Sequence, residues 1–352
     1  MSKVYYASMR SEEESENLLK KLDRLCAKVL PGVEIKKGEL VAVKLHFGEP
    51  GIYTYIRPIF ISRIMRALRD TGGKAYLTDA NTLYRGERSN AYDHLNTATA
   101  HGFCRPMIDA PVVIADGLHG HDYRLVAVKG KHFKTVKVAS AIAEADKIIG
   151  IAHVKGHLAT GFGGQLKNIG MGSGSRAGKQ QMHSDLKPEV DPKKCKGCAK
   201  CVKNCLSEAI EMYEGKARID KVKCVGCGEC VATCMHGGIK VQWGSPSQMV
   251  QEKIAEYTLG ALSGKRYAFF NFVMDITPEC DCFPWSGTKL GPDVGILASN
   301  DIVAIDQASV DLIIKAHGED TFRKAHKIDW SAQLSHAEIL GLGSRKYELE
   351  EV

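Results

Sequence analysis

The sequence predicts an α/β fold, built on a mixed or parallel sheet and interrupted by a small inserted module. Apolar, β-branched runs alternate with helical patterns through residues 1–187. The same alternation resumes after residue 244. Between them lies a segment of about 50 residues, dense in cysteine and flanked by proline-marked linkers. The expected division is therefore an α/β part at 1–187, a module at 188–243, and a second α/β part with C-terminal helices at 244–352.

The elements follow in order. VYYAS (4–8) reads as a short strand, and the next helix carries Cys26 at an apolar spacing, as a core residue. LVAVKLHF (40–47) is a strand, Pro58 opens a helix running to about Asp70, and KAYLTDA (74–80) is a strand. VVIADG (112–117), FKTVKVA (133–139) and KIIGIAHV (147–154) are further strands, the last preceded by a short helix in ASAIAEAD. In open α/β sheets ligands sit at the carboxyl ends of strands, which directs attention to His46, Asp79, Asp116 and His153. DLKPEVDPKK (185–194) and WGSPS (243–247) mark the module's ends, and a helix begins near Pro246. RYAFFNFV (266–273) and VGILAS (294–299) are strands, residues 303–318 an amphipathic helix, and residues 321–343 a helical layer.

The chain has 352 residues, is 44% apolar and holds no run of 18 or more apolar residues. Its N-terminal region lacks the apolar core of a signal peptide, so no membrane role and a cytoplasmic location are expected. Twelve cysteines would mean disulfides in a secreted chain, but eight of them stand in a metal-ligand pattern.

That pattern is a repeat. Cys195, Cys198, Cys201 and Cys205 recur as Cys224, Cys227, Cys230 and Cys234, with a constant offset of 29 residues. Each half reads C-x-x-C-x-x-C-x-x-x-C, the run that wraps three ligands around one [4Fe-4S] cluster and sends the fourth to another. Cys195, Cys198, Cys201 and Cys234 are thus expected to hold one cluster, and Cys224, Cys227, Cys230 and Cys205 the second, with Gly197 and Gly226 keeping the winding loops compact. Zinc sites also use C-x-x-C pairs but need one quartet, not two interleaved ones. The segment resembles bacterial two-cluster ferredoxins, except that Leu206 and Met235 stand where proline usually follows the fourth cysteine. Two such clusters would bring the formal +7 down to about +3, which removes most support for nucleic-acid binding. Residues 191–240 hold ten Lys/Arg and six Asp/Glu, about neutral once two clusters are counted. Such a module suits its own chain or an acidic redox partner protein.

HLATGFGGQLKNIGMGSGSRAGK (157–179) precedes the repeat. It fails as a Walker loop, because Ser173 and Gln180 stand where glycine and Ser/Thr are required. The expected form is a loop after KIIGIAHV whose glycines let backbone N–H groups approach an anion. His153, Lys155, His157, Lys167, Arg176, Lys179 and His183 lie along it; the alternative is a solvated basic loop.

These stretches together resemble the domain-of-unknown-function family 362: LHFGEPGIYTYIRP (45–58), TDANTLYRG (78–86), HVKGHLATGFGGQLKNIGMG (153–172), the cysteine repeat, CDCFPW (280–285) and DIVAIDQASVDL (301–312). That resemblance implies an α/β domain carrying a two-cluster segment. His157, Gly161-Phe162-Gly163-Gly164 and Lys167 are also distantly similar to the nickel-pincer lactate racemase family. There the lysine bonds covalently to the cofactor and a later histidine, here His183, ligates nickel; Tyr84 stands where that family has a catalytic histidine. The resemblance implies a shared pocket, with Gly161, Gly163, Gly164 and Lys167 at a cofactor or anionic substrate.

Cys280 and Cys282 flank Asp281 after a strand and offer a further metal site, a redox thiol pair or two buried apolar groups. Cys104 carries no partner signal. The function expected is an iron-sulfur oxidoreductase in which two [4Fe-4S] clusters exchange electrons with a pocket. There His157 and Lys167 bind an anionic small molecule and His183 donates a proton or ligates a metal. The alternatives are a non-enzymatic electron carrier and a metal-cofactor isomerase with structural clusters.

Overall fold

A computed structural model describes residues 1–84, 86–183, 187–205, 207–224, 226, 228–240 and 244–352. At its centre is an eight-stranded sheet, in the order Tyr347–Glu351, Ser2–Ser8, Gly295–Ser299, Arg266–Val273, Lys147–His153, Leu40–Lys44, Lys74–Asp79 and Val112–Ile114. Gly295–Ser299 runs antiparallel to both neighbours, and every other adjacent pair is parallel. The expected α/β class with a mixed sheet is what the chain adopts.

Side-chain alternation along these strands separates two cores. Val41, Val43, Ile149, Ile151, Phe270 and Phe272 pack beneath the helices Leu18–Val29 and Pro58–Asp70. Ala42, Ile148, Phe269 and Leu297 face the other side, against Gln165–Ser173, Ser247–Leu262 and Ile302–His317. Successive strand residues point to opposite faces, so the near-continuous apolar runs are those of strands covered on both sides. Lys147–His153 pairs with Leu40–Lys44 on one side and Arg266–Val273 on the other, which makes neighbours of strands that flank the cysteine repeat in sequence.

One expectation needs correction. Residues 157–179 are not a loop: Lys155–His157 and Gly161–Gly163 form a hairpin, and Gln165–Ser173 and Arg176–His183 are helices. Glycine costs a helix about 1 kcal/mol against alanine, but here close packing requires it. A Cβ on Gly170 would lie 2.3 Å from the Ile254 carbonyl oxygen, and one on Gly172 would lie 2.5 Å from Lys44 Nζ. Helix Gln165–Ser173 begins at Gly164 without a side-chain cap of its own. The carboxylate of Asp306, from DIVAIDQASVDL, accepts the N–H of Gln165 at 2.7 Å and of Leu166 at 2.9 Å and supplies that cap. At the sheet edge the charged strand Tyr347–Glu351 follows the expected helical layer.

The described residues of 188–240 form two short ladders and two short helices, and the repeat of the sequence is repeated in register. Glu189 and Val190 pair with Lys240 and Ile239; Arg218 and Ile219, each 29 residues later, pair with Glu211 and Ile210. Gly197 and Gly226 share the left-handed backbone, at φ 69° and 70°. The helices Lys200–Lys203 and Glu229–Thr233 occupy matching places. Cys227, Leu206 and the expected boundary at 241–243 lie outside the described residues.

Candidate functional site

Four adjacent parallel strands end in a common cavity of ≈ 730 Å³. Lys44, His46 and Glu49 come from the end of Leu40–Lys44 and the loop after it, and Asp79, Thr82, Leu83, Tyr84 and Arg88 from the end of Lys74–Asp79 and beyond. Lys155 and His157 follow Lys147–His153, and Cys282, Phe283 and Pro284 follow Arg266–Val273. Helix residues Lys167, Asn168, Lys179 and His183 close the remaining side.

The structure brings His157, Lys167 and His183 to this one cavity, with Gly164 at its wall. Gly161 and Gly163 are elsewhere, buried in the hairpin: a Cβ on Gly161 would meet Trp330. His46 and Asp79 line the cavity, whereas His153 and Asp116 are spent inside the protein. His153 Nδ1 lies 2.9 Å from Asp281 Oδ2 and its Nε2 3.0 Å from the Met274 carbonyl oxygen. Asp116 accepts from the backbone and side-chain N–H groups of Asn81, and burial raises its carboxyl pKa to about 6. Arg176 bonds the Thr82 carbonyl oxygen at 3.0 Å.

An ion-pair network crosses the cavity. Lys44 Nζ lies 3.0 Å from Asp79 Oδ1 and donates to Asn168 Oδ1 at 2.9 Å. Arg88 bonds Glu49 Oε2 at 2.9 Å, Asp79 Oδ2 at 3.3 Å and the Tyr84 hydroxyl at 2.6 Å. Tyr84 donates to Glu49 Oε2 at 3.1 Å, and burial pushes its phenol well above the ordinary range, so it remains a neutral donor. The lining includes five Lys/Arg (Lys44, Arg88, Lys155, Lys167, Lys179) against three acids (Glu49, Asp79, Glu87), an excess of two positive charges. Burial lowers His157 to about 4 and His183 to about 3, so both are neutral near pH 7. Lys44 and Arg88 escape motif reading, although a lysine inside the apolar run LVAVKLHF was a signal: a fully buried cation needs a partner.

The CDC segment contributes a second kind of group. Lys167 Nζ donates to Cys280 Sγ at 3.3 Å, and Cys282 Sγ donates to Cys280 Sγ at 2.6 Å. Ligand-type atoms of His157, Cys280 and Cys282 all lie within 4.8 Å of one another, a set of the size a metal ion uses. The hydrogen bond from Cys282 holds the Cys280 thiol well below its ordinary range, and the Lys167 charge and a hydrogen bond with His157 act in the same direction against burial. Burial opposes the charge on Lys167, yet the Cys280 and Cys282 sulfurs hold its pKa above the usual value.

The described cysteines of the two expected quartets line two separate small cavities. Cys195, Cys198, Cys201 and Cys234 surround one. Cys205, Cys224 and Cys230 surround the other, their fourth member, Cys227, lying outside the described residues. Backbone N–H groups point at the sulfurs: Ala209 to Cys205 at 3.2 Å, Gly238 to Cys234 at 3.1 Å and Ala217 to Cys195 at 3.4 Å. Leu83, on the wall of the large cavity, also packs in the apolar cluster containing Cys201, Cys230 and Val231. Glu229 fastens the two parts, accepting from Lys137 Nζ at 2.6 Å and from the Tyr123 hydroxyl at 2.8 Å.

The family model described as Domain of unknown function (DUF362) matches residues 41–311, most of the chain, and the chain belongs to that family. No protein of curated function matches the sequence. Among solved structures, the lactate racemase apoprotein from Thermoanaerobacterium thermosaccharolyticum aligns with a TM-score of 0.45 and 11% identity, over 90% of this chain and 58% of that one. A protein from Thermotoga maritima aligns with a TM-score of 0.40 and 11% identity, over 94% of this chain and 61% of that one. This chain therefore spans about three fifths of the length of either. Among the described residues, no helix is long and apolar enough to cross a membrane.

Proposed function

We propose that this DUF362 protein is an iron-sulfur oxidoreductase in which two [4Fe-4S] clusters, held in residues 188–243, exchange electrons with a small anionic molecule in the large cavity. The observation that supports this reading is that Cys195, Cys198, Cys201 and Cys234 line one small cavity and Cys205, Cys224 and Cys230 another. The donor chemistry fits: the sites offer thiols, and backbone N–H groups directed at sulfur stabilise the charge of a bound cluster. When bound, the clusters supply one-electron transfer. The chain's own residues bind and orient. The positive excess at the cavity favours an anion, neutral His157 and His183 can donate or accept a proton, and the Leu83 contact brings the module against the cavity wall.

Anaerobically purified protein is expected to hold about eight iron and eight labile sulfide per chain, with broad visible absorbance bleached on reduction. Colourless protein holding about two zinc per chain would overturn the assignment.

A second reading, a metal-cofactor isomerase with structural clusters, draws on the meeting of His157, Lys167 and His183 in one cavity. Stoichiometric nickel and a covalent mass adduct on Lys167 would favour it over electron transfer.

A further inference from the structure

We infer that His157, Cys280 and Cys282 bind one zinc ion at the wall of the large cavity and leave its fourth coordination place to a small anionic ligand. The zinc site rests on geometry and donor chemistry of its own; only the anionic character of the ligand is shared with the function proposed above.

Two segments far apart in sequence are locked together to build it. His157 ends the strand Lys155–His157, and the cysteines lie beyond the strand Arg266–Val273. The Gly156 N–H donates to the Thr277 carbonyl oxygen at 2.8 Å. A Cβ on Gly156 would lie 2.2 Å from the Pro278 carbonyl oxygen, so only glycine lets the hairpin come this close. The Phe283 N–H closes a turn onto the Cys280 carbonyl oxygen at 3.0 Å. Between the cysteines, Asp281 is held by His153 Nδ1 at 2.9 Å and Lys155 Nζ at 3.3 Å. Backbone and carboxylate thus fix the loop, and ligand-type atoms of His157, Cys280 and Cys282 meet within 4.8 Å of one another.

The donors select the ion. Magnesium and calcium need several oxygen ligands, and the nearby carboxylates are spent, Asp281 as above and Glu49 on Arg88 and Tyr84. Two thiolates with an imidazole suit zinc, and three protein ligands are the set of zinc sites that keep a fourth place for water or substrate. The Ala159 N–H and the Thr160 hydroxyl oxygen lie 3.1 Å and 3.0 Å from His157 Nδ1, which leaves Nε2 to the ion. Two buried apolar sulfurs would not explain Lys167, whose Nζ donates to Cys280 Sγ at 3.3 Å; a metal-bound thiolate accepts such a bond.

The charges also close. Zinc displaces the two thiol protons to solvent, so the ion and two thiolates together add no net charge. The cavity's excess of two positive charges therefore remains for the ligand. His157 and Cys282 line the cavity and Cys280 is buried behind them, which turns the open place toward the cavity and sets Lys167 beside it.

The test uses full-length protein purified anaerobically with a reductant. Its metals are counted by mass spectrometry, and the surroundings of zinc are read by X-ray absorption, which iron does not obscure. About one zinc per chain is expected beside the iron, with two sulfurs at about 2.3 Å and one imidazole nitrogen at about 2.0–2.1 Å. Cys280→Ser/Cys282→Ser should lose that zinc and keep the iron, whereas Cys198→Ser/Cys205→Ser should keep the zinc. His157→Ala should weaken zinc binding by more than about tenfold in competition with a chromophoric chelator. Mercaptoacetate should add a third sulfur to the zinc spectrum, and at lower concentration than mercaptoethanol, which carries a thiol without the carboxylate. Absence of zinc, a Cys280–Cys282 disulfide in its place, zinc surrounded by four sulfurs, or zinc retained without both cysteines would overturn the site. Unchanged affinity in His157→Ala would remove that ligand from it. A spectrum unmoved by mercaptoacetate would overturn the open place, and an equal response to the two thiols would overturn the preference for an anion. About eight iron without zinc would remove the zinc site and leave the clusters standing; one zinc on these residues in protein without iron would do the reverse.

Discussion

The two halves of the cysteine repeat wind alike and face different surroundings. Positions 200 and 229 stand at the same place on their short helices: Lys200 is exposed, whereas Glu229 is buried against Lys137 and Tyr123. Position 217 lines the solvent-side cavity as alanine and donates its N–H to Cys195; position 188 lines the docked cavity as proline and has no N–H to give. Winding depends on the cysteine spacing and left-handed glycines, which both halves share. Docking and sulfur hydrogen bonding depend on outward residues, which the repeat leaves free to diverge.

The largest expected effect tests whether the halves are truly interleaved. Cys198→Ser/Cys205→Ser removes one ligand from each interleaved quartet, so iron should fall from about eight to near zero. Were the quartets consecutive in sequence, the double variant would keep about four iron atoms and the pairing across halves would be wrong. Next, Glu229→Ala should destabilise the docked half by about 3–5 kcal/mol, because it leaves Lys137 buried without its carboxylate. Lys200→Ala, at the matching position, should stay within about 0.5 kcal/mol in the same denaturant titration. Equal losses would show that docking is not what distinguishes them. The smallest effect sharpens the comparison at the sulfurs: hydrogen bonds to cluster sulfur raise a reduction potential. Pro188→Ala should raise the potential of the docked cluster and Ala217→Pro should lower that of the other, each read by electron paramagnetic resonance in a redox titration. Shifts of the opposite sign would break the assignment.

The sequence made legible whatever depends on local pattern. Pro58–Asp70 and Arg266–Val273 have the bounds their residues predict, since proline at a first helical turn and a long β-branched and aromatic run are local signals. Less legible was anything decided across the chain. The glycines of residues 157–179 look like loop residues until the carbonyl of Ile254 and the ammonium of Lys44 occupy the space a side chain would need. His153 and Asp116 stand at strand ends as ligand residues would, but Asp281 and Asn81 engage them, and neither partner is near in sequence to the group it holds. Arg88 joins the cavity because Glu49 and Asp79 reach it from two strand ends, a convergence that no linear motif encodes.

The sheet also imposes an order in time. Lys147–His153 cannot be flanked on both sides until Arg266–Val273 has been made, and 120 residues separate the ends of those strands. At roughly 5–20 residues per second this is an interval of about 6–24 s. The whole cysteine repeat is synthesised within it. Its ladders join partners no more than 51 residues apart, from Glu189 to Lys240, so the small module can assemble while the sheet is still incomplete. Its thiols are thus exposed, before the last strands close, to whatever iron, zinc or oxidant surrounds a nascent chain.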